Sequence, residues 1–210
     1  MKKALQYLNY LQKEIHSVII ASIDKEGHPV TCVIDIMLAD KKGLYFLTAK
    51  GKSFYDRIRQ NENIALTGLK GKDTMSSQSI NLKGRVHEIG SERLNEIFAR
   101  NPYMAEIYPQ EQSRSVLTVF QIDQGLGEFF DLSKRPVFRE SFSFGGVQTE
   151  TSGYVISSQC TDCRRCAEVC PQDCIDLSST PAVIQQEHCL HCGRCMEACM
   201  FNAVEKRKIQ

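Results

Sequence analysis

The first 150 residues of this 210-residue chain hold a single cysteine, Cys32, although the whole has ten. Strong charge is missing too: the formal net charge is +1, which leaves nothing to steer the chain toward a polyanion. Basic residues form only small, unpatterned clusters, so a nucleic-acid partner is not expected. Long apolar runs are absent. SVIIASI, residues 17–23, falls far short of the about 20 residues that span a bilayer as a helix. The opening MKKALQYLNYLQKE has two lysines, but Gln6, Asn9 and Gln12 interrupt any export-signal core, while Leu5, Leu8, Leu11 and Ile15 recur at helical spacing. The expectation is a cytoplasmic protein without a membrane partner. Apolar content of 42% and charged content of 24% are those of an ordinary globular chain, long enough for one or two domains.

The other nine cysteines lie between positions 160 and 199. Disulfides belong to oxidising compartments, and without an export signal thiols two or three residues apart point to metal ligation. An internal repeat organises them. Cys160 and Cys189, Cys163 and Cys192, Cys166 and Cys195, and Cys170 and Cys199 are each 29 residues apart. Arg165 pairs with Arg194 in the same way, Ile175 with Val204, and Cys174 with Ala203. Each unit reads as a short strand, a cysteine loop, a helical turn and another apolar segment. Two such units make a small α+β module.

Each unit has the spacing C-x2-C-x2-C-x3-C. Structural zinc prefers paired knuckles separated by a loop, and four cysteines in so tight a run, repeated, fit it poorly. The pattern resembles the bacterial two-cluster ferredoxins, in which three cysteines wrap one face of a [4Fe–4S] cubane and the fourth serves the other cluster. The resemblance implies one cluster on Cys160, Cys163, Cys166 and Cys199, and a second on Cys189, Cys192, Cys195 and Cys170. Pro171 follows the first unit as in that family; Met200 stands where the second proline is expected. Cys174 is left over and reads as a small residue packed beside a cluster. His188 and His191 flank Cys189 but face a complete thiolate set.

In the N-terminal part, strand patterns cover 16–24, 31–38, 44–49, 64–71 and 79–90, with two more expected in 115–133 across a Gly-rich turn. Helical spacing appears up to about Glu14, after Ser53 as an expected N-cap, and across 91–108 through Leu94, Ile97, Phe98 and Met104. Many short strands with a few helices argue a β-barrel with helices at its ends. TAKGKS, residues 48–53, runs from a strand into a helix start, where free N–H groups, Lys50, Lys52 and the hydroxyls of Thr48 and Ser53 can meet an anion. Gln78, Ser79 and Asn81 could hydrogen-bond a planar heterocycle. Cys32 reads as a small buried apolar group.

The GHP turn (27–29), TCVIDIM, GLYFLTAKGKSFYDRI followed by NENIALTG, and SINLKGRV stand in an order that resembles the split-barrel flavin-binding family of pyridoxamine 5′-phosphate oxidase, over roughly residues 1 to 145. The resemblance implies a homodimer with FMN at its interface. Thr48, Lys50, Lys52 and Ser53 would hold the phosphate, while Val33, Ile34 and Asp35 would line the ring. The oxidase's flavin-contacting glutamine falls on Ser79, with Gln78 adjacent. Its Ser-Arg-Lys phosphate turn reads Lys52-Ser53-Phe54 here, and its basic C-terminal substrate motif is replaced by RPVFRESFSFGG, so vitamin B6 oxidation is not expected.

The expected architecture is therefore a mainly β split barrel with flanking helices (1–145), a Gly/Ser/Thr-rich linker (146–153) and a two-cluster ferredoxin domain (154–210). The expected function is an iron–sulfur flavoprotein oxidoreductase, passing electrons between two [4Fe–4S] clusters and FMN to or from a small molecule or a redox partner protein. A non-enzymatic electron carrier or redox sensor, with the barrel as a dimerisation platform, is the alternative. Haem or a deazaflavin in place of FMN ranks last, and no general acid or base can be named from the sequence.

Overall fold

Strand β4 (Gly43–Ala49) shows how the N-terminal residues are layered. Its sequence GLYFLTA has no polar alternation, and Leu44, Tyr45, Phe46 and Thr48 are all nearly inaccessible, so the strand is covered on both faces. The computed structural model describes residues 2–149 and 151–209. Helix α1 (Lys2–Tyr10) runs on into one wider π-helical stretch, Leu11–Ile15, and buries Ala4, Tyr7, Leu8 and Leu11. Strands β1 (Ser17–Ile23), β2 (Pro29–Asp35) and β3 (Leu38–Asp40) precede β4. Helix α2 (Ser53–Gln60), β5 (Asn63–Lys70), β6 (Gln78–Gly90), α3 (Leu94–Arg100), α4 (Met104–Ile107), β7 (Leu117–Asp131) and β8 (Phe138–Phe144) follow. The eight strands form one sheet in the order β2-β1-β5-β6-β7-β4-β3, with β8 added on β7. β1 pairs antiparallel with β2 and β5, and β4 with β3 and β7.

Alternation along β4 sorts the core. Phe46 stacks on Phe120 of β7 with ring centroids 5.7 Å apart and meets Phe54 of α2 at 6.0 Å. Tyr45 and Leu47 turn the other way, into a cluster with Ile97, Phe98 and Met104 from α3 and α4. The exposed face of β1, β2 and β5 carries large apolar side chains among its polar ones: Ile19 is 50% exposed, Val33 68% and Leu69 66%, with Ile19 directly opposite Val33.

Three expectations are corrected. The run over 31–38 is two strands, because the chain turns at Ile36 and Met37, whose amides donate to His16 and Tyr45 carbonyls at 2.8 Å each. The helical stretch over 91–108 is two short helices, interrupted at Asn101-Pro102, where the buried Asn101 amide donates to the Ile97 and Met37 carbonyls. The glycines of 115–133 make no turn. β7 is one strand of 15 residues, and Gly125 and Gly127 give room to the Phe144 and Phe142 rings of β8; a Cβ at Gly125 would stand 3.0 Å from Phe144.

The repeat folds into β9 (Thr151–Ile156), α5 (Arg165–Glu168), β10 (Ile175–Asp176), β11 (Val183–Ile184), α6 (Arg194–Glu197) and β12 (Val204–Ile209). β9 pairs with β12 and β10 with β11, both antiparallel. The described chain divides into two compact units. Residues up to Lys70, with Ser79–Glu128 and Phe142–Gln148, form one; Gly71–Gln78, Phe129–Ser141 and the residues from Thr149 onward form the other. Among the described residues no helix is long and apolar enough to cross a membrane.

The glycine packing is testable. Gly127→Ala should cost about 1–3 kcal/mol of stability, because the new methyl must displace the Phe142 ring. Gly51→Ala meets nothing within 4 Å and should stay within about 0.5 kcal/mol of the parent. Urea denaturation of both variants checks this; equal midpoints would remove the argument.

Candidate functional sites

The turn between β4 and α2 was expected to receive an anion. Lys52, in extended conformation, is the residue that precedes the helix, and its side chain makes no capping bond. Ser53 is thus the first helical residue and not the cap, a correction of one position. Ser53, Lys50 and Lys52 are exposed, whereas Thr48 is 3% exposed. Among the described residues the buried Thr48 hydroxyl has no hydrogen-bond partner, which a folded chain seldom tolerates. Its neighbour across the sheet, Thr118, is satisfied by donating to the Glu88 carboxylate at 2.6 Å.

Arg57, one turn into α2, was not expected here. Its Nε donates to Ser22 Oγ at 2.9 Å, and together with Lys52 it acts on the Cys32 thiol. Burial pushes that thiol up, and the two cations pull against the shift. Arg57 stands four residues after Ser53, so helical spacing was the one sequence signal that pointed to it. An orphaned hydroxyl, two exposed ammonium groups and a guanidinium are a donor set that suits a phosphate monoester.

The residues expected along a flavin ring divide. Val33 and Asp35 share the outer face of β2, while Ile34 between them points to the opposite side. Asp35 accepts from Ser17 Oγ at 2.6 Å and from the Tyr103 hydroxyl at 3.1 Å. His16 Nε2 lies 3.0 Å from the same hydroxyl and 3.6 Å from Asp35. Tyr103 and His16 lie 68 and 19 residues from Asp35 in the chain, and no motif linked the three. Burial, with the neighbouring Asp35 charge, pushes the Tyr103 phenol up to about 12. Ser79 belongs to this unit; Gln78 falls in the other, where its amide donates to Asp131 at 2.8 Å. Asn81 accepts from Thr67 at 2.8 Å.

In the second unit the repeat is visible in the backbone. Asp162 and His191 share φ of 56°, Arg164 and Gly193 have 63° and 82°, and Asp173 and Asn202 have 49° and 51°, each pair 29 residues apart. These left-handed residues wind both cysteine loops into matching cups. One cup is a small cavity lined by Cys170, Cys189, Cys192 and Cys195 together with Cys174. The other is lined by Cys160, Cys163, Cys166 and Cys199, with Ala203 in the place of Cys174. Each thus takes three thiols from one half of the repeat and the fourth from the other half. Among the described residues no group of three His, Cys, Asp or Glu side chains is gathered for one metal ion; the four thiols of each set surround a volume, as a cubane asks of its ligands. Backbone amides already face sulfur: His191 N–H donates to Cys189 and Ala203 N–H to Cys199, both at 3.3 Å.

Cys174 is 2% exposed and 3.5 Å from Cys170 sulfur to sulfur. The neighbouring Cys189 thiol and burial push the Cys174 thiol far above the ordinary thiol range. His188 Nδ1 lies 2.9 Å from the Val137 carbonyl, and Arg139 donates to the Cys189 carbonyl at 3.1 Å. Met200, in the missing proline's place, accepts from Arg165 at 2.8 Å.

Comparison with known proteins finds two family profiles: pyridoxamine 5′-phosphate oxidase over residues 5–126 and the 4Fe-4S dicluster domain over residues 159–203. Among solved structures, a NimC/NimA family protein from Clostridium acetobutylicum is 19% identical with a TM-score of 0.52, over 69% of this chain and 92% of that one. A protein of the same organism, related to general stress protein 26 of B. subtilis and described as of the pyridoxinephosphate oxidase family, is 16% identical with a TM-score of 0.50, over 68% and 95%. ChuZ of Campylobacter jejuni is 12% identical with a TM-score of 0.52, over 67% and 60%. At such identities the likeness is one of fold. No curated protein matches the chain.

The Tyr103 environment predicts a pH effect. The folded chain holds this proton to about 12, whereas an unfolded tyrosine releases it near about 10. The contribution to stability is complete below about pH 10 and is lost as the pH rises toward 12. The near-ultraviolet alkaline titration of the parent minus that of Tyr103→Phe should show a phenol of high midpoint; an ordinary midpoint would exclude the Asp35 contact.

Proposed function

The chain belongs to the pyridoxamine 5′-phosphate oxidase family and carries a 4Fe–4S dicluster domain behind a split barrel, and from that premise we propose an iron–sulfur flavoprotein oxidoreductase. It passes electrons between two [4Fe–4S] clusters and FMN, to or from a small molecule or a redox partner. The observation that carries this reading is the pair of four-thiol cavities, each drawn across the repeat, in one chain with the orphaned Thr48 hydroxyl at a strand-to-helix turn. When bound, the clusters supply single-electron exchange and FMN couples it to two-electron chemistry.

The chain's own groups have distinct parts. Thr48, Lys50, Lys52 and Ser53 hold the phosphate, with Arg57 added to the set. Val33 and Asp35, with Ile34 through its backbone and Ser79 from β6, border the ring, while Gln78 is committed to Asp131. The Tyr103 hydroxyl, between His16 and Asp35, retains a proton close to that strand. In the repeat, Cys160, Cys163, Cys166 and Cys199 hold one cluster as thiolates, and Cys189, Cys192, Cys195 and Cys170 the other. The outer face around Ile19, Val33 and Leu69 is the surface we assign to a homodimer.

Anaerobically purified protein should contain about eight irons and eight sulfides per chain with about one FMN. Thr48→Val should weaken FMN binding about 10-fold, the worth of one hydrogen bond to a charged group, and leave the iron content unchanged. A full iron complement without flavin would turn the reading to an electron carrier or redox sensor. Ile19→Glu should halve the mass seen in sedimentation; a protein already monomeric would remove the assigned interface.

A further inference from the structure

The two cysteine cavities are alike in their four thiols and unlike in what surrounds them. Cys174 adds a fifth sulfur to one, where the repeat places Ala203 in the other. It lies against one of the four thiols, Cys170, at 3.5 Å sulfur to sulfur. It is buried at 2% exposure, so neither water nor another donor can take its place. A second difference comes from outside the repeat: the Arg139 guanidinium reaches the Cys189 carbonyl at 3.1 Å, on the same cavity. A third concerns the arginines lining each cup. Arg164, in the Ala203 cavity, lies 3.6 Å from Asp162, which lines that cavity with it. Arg194, lining the Cys174 cavity, has no ion pair among the described residues.

We propose that Cys174 is a hydrogen-bond donor to the thiolates of one cluster alone and, with Arg139, raises that cluster's reduction potential while leaving its twin untouched. The inference rests on the dicluster reading above and adds a residue-level difference between its two sites. Reduction adds one electron, and so one negative charge, to a cluster and its thiolates. An S–H group directed at a sulfur, or a cation held on the backbone of a ligating residue, stabilises the reduced form more than the oxidised one. The proton stays on Cys174 throughout, so no proton is transferred. Burial of Cys189 and Cys195 acts in the opposite direction, since a drier site disfavours added charge. The proposal therefore concerns what removing the donors does to one potential, whichever cluster is the more easily reduced.

The test is a mediated redox titration of the full-length holoprotein, followed by electron paramagnetic resonance, with iron and sulfide measured on each sample. Cys174→Ala, which copies the Ala203 side of the repeat, should move one midpoint to lower potential and leave the other in place. Cys174→Ser, which keeps a donor, should return that midpoint toward the parent value. Arg139→Gln, which leaves the cavity wall intact, should lower the same midpoint. Both midpoints unchanged in Cys174→Ala, or both shifted together, would overturn the proposal. Loss of one cluster from Cys174→Ala would also overturn it, by making Cys174 a ligand or a packing residue. Parent protein without two cubanes would sink the dicluster reading and this inference together, which separates that failure from a failure of the donor.

Discussion

Thiolate charge without a counter-charge is the constraint on which the second unit depends. Eight cysteines line two small cavities whose remaining walls are largely apolar, and Cys195 is held up to about 11 by burial among its neighbours. So many neighbouring thiols cannot all ionise against one another; the iron of the proposed clusters would supply the positive charge that makes them thiolates. The same cysteines are also the core. Tyr154, Ile175, Ile184 and Val204 pack with Cys174, Cys189 and Cys195, around strands of two residues at β10 and β11. With so little apolar area, cluster binding as proposed would also supply folding free energy.

The first unit is organised on the opposite principle. Its strands bury ordinary hydrophobic side chains on both faces of β4. What this achieves for chemistry is placement. Phe46 and Thr48 point the same way from β4, so the packing that fixes the Phe46–Phe120 stack also fixes the direction of the Thr48 hydroxyl. α2 begins four residues beyond the end of β4 and is held by Phe54 and Ile58 in the core, which leaves Lys52 and Ser53 at its exposed start. An unsatisfied donor beside exposed cations persists because the surrounding core over-determines it.

What could be read from the chain followed from how local each signal was. The 29-residue offset is arithmetic on the sequence, and the structure repeats it in three pairs of positive φ angles. Strands and the strand-to-helix turn before α2 were visible because pattern and turn residues sit within a few positions of one another. Gly125 and Gly127 misled, since glycine marks a turn and a close ring contact with the same letter, and the Phe142 and Phe144 rings come from a different strand. The Lys52–Ser53 cap position was off by one because a basic residue in extended conformation leaves no capping signature. Tyr103, His16 and Asp35 meet across a separation that no periodicity spans. Arg139 was illegible for the same reason, as it reaches the Cys189 carbonyl from 50 residues before it.

A duplicated module starts with two equivalent sites, and two equivalent clusters give an electron no preferred resting place. Any direction of flow has to come from residues that break the repeat. In this chain two of the breaks lie at the sulfur-lined cavity that holds Cys174. The ligand spacing, the left-handed turns and both strand pairs are duplicated, whereas Cys174 against Ala203 and the Arg139 contact are not. None of these alters the number of thiols or the winding of the loops, so each could arise without disturbing assembly. They change only the charge and proton donors around sulfur, the quantities that set potential. The symmetric features are thus those that build the sites, and the asymmetric ones those that can make the two sites do different work.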